Sequence, residues 1–132
     1  MVKHGNFCSM LALVFFLRMF VLGRAGLSGK DAAMEHHVYF WLKEEKKNAA
    51  DIATFEKGLA DLFEISEVAG GVWGKSADTP ERPVTDKSFD YALSMSFDSL
   101  AEHNIYQDHP DHDVFVDAFK DWWQKVLVMD VG

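Results

Sequence analysis

The sequence predicts one α+β domain with helices gathered on a single face of an antiparallel sheet. Three observations lead there. His36 to Leu42 is dense in aromatic and branched residues, Phe89 to Phe97 alternates apolar and small or polar side chains, and apolar stripes at helical spacing fall between and after these runs. A chain of 132 residues, 48% of them hydrophobic, has room for one core. The domain is assigned to residues 34–132, behind an apolar leader at 1–33.

His36 to Leu42 reads as a strand, with Val38, Phe40 and Leu42 on one face and His37, Tyr39 and Trp41 on the other. With both faces apolar, it should be covered on both sides. Lys43 to Asn48 is a charged turn. From Ala49 to Ile65, Ile52, Phe55, Leu59, Leu62 and Phe63 recur at helical spacing while Asp51, Glu56, Lys57 and Asp61 fill the opposite face, so an amphipathic helix rests on the sheet. Val68 to Lys75 is a glycine-containing second strand. Ala77 to Ser88 carries Pro80 and Pro83 without periodicity, and a connection of that length in so small a domain is mobile or functional.

Phe89 to Phe97 is the third strand, placing Phe89, Tyr91, Leu93, Met95 and Phe97 on one side. Ser99 and Glu102 form a capping box for a helix reaching about Asp108, where Pro110 stops it. A further helix begins near Asp111 and carries Val114, Phe115, Ala118, Phe119, Trp122 and Val126. Val126 to Val131 closes the domain as a short strand. The order is β-α-β-β-α-α-β.

In the leader, residues 7–22 form an apolar run broken by Arg18, with Lys3 and His4 ahead and Ala25, Ala32 and Ala33 behind, the layout of a secretory signal. The run is too short and too interrupted for a good membrane span, which takes about 20 apolar residues, and the acidic domain behind it is not expected to associate stably with membranes. A second reading makes Met34 the start and residues 1–33 an upstream extension. Export follows from the first, a cytoplasmic protein from the second. Cys8, the only cysteine, lies in the leader, which excludes a disulfide, a Cys nucleophile or Cys-ligated zinc in the domain. Residues 34–132 hold nine basic and twenty acidic side chains, a net charge near −11. Such a surface repels phosphate backbones, so nucleic acid is not an expected partner.

The runs His36-His-Val-Tyr-Phe-Trp-Leu-Lys43, Phe89-Asp-Tyr-Ala-Leu-Ser-Met-Ser-Phe97, Tyr106-Gln-Asp-His-Pro-Asp-His112 and Trp123-Gln-Lys-Val-Leu-Val-Met-Asp130 together resemble the stress-responsive A/B barrel (Dabb) family. Tyr-x-x-His-Pro-x-His is the specific part. The resemblance implies a ferredoxin-like unit whose sheet packs against a second copy as a dimeric α/β barrel, hence a homodimer. It also implies a pocket between helices and sheet for a small apolar or aromatic compound. A plant polyketide cyclase of the family has its catalytic Tyr and His at positions matching Tyr106 and His112, and pocket positions matching His37, Tyr39, Trp41, Phe115 and Trp123. The aromatic first strand here departs from that cyclase and would fill pocket volume.

Across the Pro110 break, a bend can bring Tyr106 and His112 together. A histidine titrates near neutral pH and a tyrosine hydroxyl can hydrogen-bond a developing oxyanion, a pair suited to enolisation or aldol-type closure of a carbonyl compound, cyclase- or lyase-like. The bland alternative is a non-catalytic stress-response dimer, with His112 tying helix to sheet and Tyr106 packed into a filled pocket. His109 and His112 among Asp108, Asp111 and Asp113 invite a metal reading, but Pro110 breaks the spacing and acids at a helix start act as dipole partners. No metal site and no cofactor are expected, and nothing selects the monooxygenases that share the dimeric barrel.

Overall fold

The computed structural model describes residues 33–132. The leader expected over 1–33 lies, Ala33 apart, outside the described residues. Four strands and three helices follow: β1 (Met34–Leu42), α1 (Ala49–Leu62), β2 (Gly70–Gly74), β3 (Tyr91–Phe97), α2 (Leu100–Gln107), α3 (Pro110–Phe119) and β4 (Trp123–Val131), with a 3₁₀ turn at Glu44–Lys46. The sheet runs β2-β3-β1-β4 with every neighbouring pair antiparallel. This is the element order read from the sequence. Among the described residues no helix is long and apolar enough to cross a membrane.

Alternation along β1 and β3 builds the core. Val38 lies opposite Leu93 and Phe40 opposite Tyr91, and these residues, with Met95, Phe97 and Leu42, are buried beneath the helices. Helix α1 starts at Asn48, whose side chain accepts a hydrogen bond from Asp51 N, and presses Phe55, Leu59 and Leu62 onto this face. It ends three residues short of the expected Ile65, which turns back into the core from the following loop.

Two boundaries differ for identifiable reasons. Strand β3 starts at Tyr91 and not Phe89, because Asp90 N donates to the Phe40 carbonyl while its carboxylate accepts from Leu42 N at 2.7 Å. The resulting bend sends Phe89 to the outer face, against Tyr39 with ring centres 5.3 Å apart. Strand β4 starts at Trp123, because α3 stops at Phe119 and Trp122 N closes a turn on Phe119 O. Val126 thus belongs to a strand and not to the α3 stripe. Trp41 pairs with Lys125 but Leu42 with Trp123, so Gln124 is an extra residue in the ladder. The bulge moves Trp123 to the inner face, beside Phe40 (5.6 Å) and Phe115 (6.1 Å); unbroken alternation would have left it outside with Lys125.

Candidate functional site

Local sequence sets the site's upper wall. Ser99 Oγ accepts from Glu102 N at 3.1 Å and starts α2, and the three-residue spacing of His103 and Tyr106 then turns both rings inward to burial. Pro110 occupies the first turn of α3, where its missing N–H costs nothing. His109 is the N-cap, its Nδ1 accepting from Asp111 N at 3.1 Å, so this histidine holds the chain reversal together. The reversal brings His112 against Tyr106, ring centres 4.9 Å apart and edge to face. One turn further along α3, Phe115 enters the core.

β1 and β4 supply the lower wall. His36 faces inward at 4% exposure, its ring 4.9 Å from that of His103 and 6.1 Å from that of Tyr106. Its Nδ1 lies 2.6 Å from Oδ1 of Asp130, the residue directly opposite on β4. Gln107 Nε2 approaches His103 Nε2 at 3.3 Å, and the buried His103 Nδ1 has no partner.

Burial alone raises the Tyr106 pKa, so the hydroxyl keeps its proton and can only donate in acid–base work. His112 is lowered, first by burial and then by His36 and His103, against an upward pull from Asp113; it is therefore neutral near pH 7 with a free lone pair. His103 is lowered by burial first and His36 second, with Asp130 and the Asn104 side chain pulling the other way.

Of the expected site residues, Tyr106, His112, Phe115 and Trp123 lie on the helix-covered side. His37, Tyr39 and Trp41 lie half-exposed on the outer face of the sheet, which no helix of the described residues covers. His36, not its neighbour His37, is the first-strand histidine beside Tyr106. Period-two alternation carried the signal, since the parity that sends Val38, Phe40 and Leu42 inward sends His36 with them. His103 was readable three residues before Tyr106. Asp130 was not, because its place opposite His36 depends on strand register. Phe115, packed by Phe40, Phe55, Phe119 and Trp123, is 6% exposed, and the Trp123 Nε1–H is buried without a partner. A groove of about 480 Å³ runs between α1 and α3 past Gly58, Asp61 and Phe115, and a hollow of about 200 Å³ opens on the outer face beside His37, Tyr39 and Phe89.

An antiparallel sheet ordered β2-β3-β1-β4, with helices on one face and the buried rings of His36, His103 and Tyr106 beneath them, defines a ferredoxin-like α+β protein. The stress responsive A/B barrel domain (Dabb) model matches residues 34–132, and the chain belongs to that family. It is 25% identical over 99 residues to olivetolic acid cyclase of Cannabis sativa, covering 74% of this chain and 94% of the cyclase. A Dabb family protein with a ferredoxin-like fold from Mesorhizobium loti superposes with a TM-score of 0.62 at 26% identity, over 76% of this chain and 95% of that one. A dimeric ferredoxin-like protein of unknown function from Thermobifida fusca superposes at 0.63 with 16% identity, over 83% and 98%.

Proposed function

We propose that this Dabb protein is a homodimer that binds a small apolar or aromatic carbonyl compound between α2, α3 and the sheet, and moves a proton on it with His112 and Tyr106. The carrying observation is the meeting of those two rings at 4.9 Å across the α2–α3 reversal, with opposite pKa shifts suited to opposite roles. Neutral His112 takes a proton from the carbon next to the carbonyl. The Tyr106 hydroxyl donates a hydrogen bond to the oxygen as negative charge develops there, and the enolate carbon can then attack a second carbonyl of the same compound to close a ring, His112 returning its proton to the new alkoxide. The relation to olivetolic acid cyclase supports this class of chemistry, and the unpartnered Trp123 Nε1–H supports a polar atom on the ligand. Phe115, one turn beyond His112, is packed among Phe40, Phe55, Phe119 and Trp123, so the compound is small and sits toward the half-exposed His112 edge.

The dimer rests on the outer face. Tyr39, Trp41 and Leu127 are half-exposed there and Met129 is 51% exposed, an apolar surface without a cover among the described residues. A second copy sheet to sheet would cover it, and the dimeric relative from Thermobifida fusca has the same fold. The burial of Phe115 and the core packing of Trp123 favour one rival, a non-catalytic dimer whose pocket is filled by its own side chains.

Loss of the α-proton signal from methyl aryl ketones in deuterated buffer, followed by NMR, separates the two. The native protein should exchange these protons faster than buffer, with the rate falling in both His112→Ala and Tyr106→Phe. A folded native protein that exchanges no faster than buffer would leave the filled-core dimer standing.

A further inference from the structure

We propose that His36, His103 and Asp130 form a binding site for a divalent transition-metal cation of the zinc type. Each offers one donor atom, and the three donors lie within 4.8 Å of one another. Bonds of about 2.0–2.2 Å would hold them roughly 3–3.5 Å apart, so the His36–Asp130 pair, now at 2.6 Å, would open slightly and His103 would close in, both by side-chain torsions. Two imidazoles and one carboxylate suit zinc and its neighbours and not the all-oxygen preferences of magnesium or calcium.

The unpartnered His103 Nδ1 gives the independent reason. It is buried in a residue 9% exposed, and a buried polar atom without a partner is costly. The His36–Asp130 contact leaves that atom unexplained, whereas a cation among the three side chains would occupy its lone pair. Gln107 stands at the other nitrogen of the same ring, and with its amide oxygen turned to Nε2–H it would fix the tautomer that frees Nδ1. Asp130, with its side chain 45% exposed, offers the way in and brings a carboxylate to the ion.

The test uses the full untagged chain, stripped with a chelator and titrated with zinc against a chromophoric competitor, without any organic compound. It therefore reads separately from the proton-transfer reading. One zinc per chain is expected, with affinity weakened at least about tenfold in His103→Ala and in Asp130→Asn. Asp130→Asn alters an exposed edge position and retains the fold by circular dichroism. His109→Asn, which keeps a capping side chain, should bind as the native protein does. Absence of stoichiometric zinc, undiminished affinity in Asp130→Asn, or a loss confined to His109→Asn would each overturn the site.

Discussion

Phe115→Ala tests whether the aromatic cluster one helical turn beyond His112 is packed or open. The native ring is 6% exposed and lies 5.0 to 6.1 Å, centre to centre, from Phe119, Phe55, Phe40 and Trp123. Those four neighbours belong to four different elements, so relaxation of one of them cannot close the gap. Truncation of a phenylalanine so enclosed costs about 3–5 kcal/mol, against a total stability of about 5–15 kcal/mol for a domain of this size. At about 4–8 °C per kcal/mol, the midpoint should fall by about 12–40 °C. Urea and thermal unfolding would be read at one protomer concentration, since a dimer's midpoint depends on it. Benzene should raise the midpoint of the variant and leave the native protein unmoved, because only the variant offers a dry hole. A loss below about 1 kcal/mol would refute the argument, placing the ring at the edge of an open chamber.

Gly58→Ala in α1 should destabilise although alanine favours helix by about 1 kcal/mol. A β-carbon there collides with the Phe119 ring and comes within 3.3 Å of Phe115, so a raised melting temperature would show α1 and α3 to be less tightly apposed. His112, lowered by burial, binds a proton more readily in the unfolded chain. Its contribution is whole above about pH 6.5 and is lost as pH falls from there through the folded value. His112→Asn should therefore flatten the melting-temperature profile between pH 6.5 and 5, and an unchanged slope would exclude His112 as a source. Tyr39→Glu puts a charge in the middle of the outer face, opposite Ala92 and Leu127. Light scattering should show dimer for the native chain and monomer for the variant, and a dimer persisting in the variant at micromolar concentration would place the interface elsewhere.

Sequence patterning reached the fold because each element announces itself locally: alternation in β1 and β3, the Ser99 cap, the Pro110 break. It failed where one backbone contact overrides the pattern. Phe89 continues the alternation on paper, yet the bonds of Asp90 to Phe40 and Leu42 turn it to the other face. The Gln124 bulge likewise decides which side Trp123 takes, and nothing in Trp122-Trp123-Gln124 signals a bulge. The Tyr106–His112 meeting was legible, since a proline between two helical runs forces a reversal. Choosing His37 over His36 set the resemblance above strand parity, and parity agrees with the position observed. Asp130 required knowledge of which strand lies beside β1, a pairing between residues 94 apart.

That separation also bears on how the protein is made. β1 is the first strand of the domain and lies in the middle of the sheet, between β3 and β4. At about 5–20 residues per second, a ribosome takes roughly 5–20 s between adding His36 and adding Asp130. Through that interval Val38, Phe40, Leu42, Tyr39 and Trp41 are in the emerging chain without the strand that completes their pairing. Helix α1 can form early from local contacts, but the sheet cannot close from its amino-terminal side. The strand with five consecutive apolar side chains, Val38 to Leu42, is thus the one that waits longest, which makes the nascent chain a candidate client for holding chaperones.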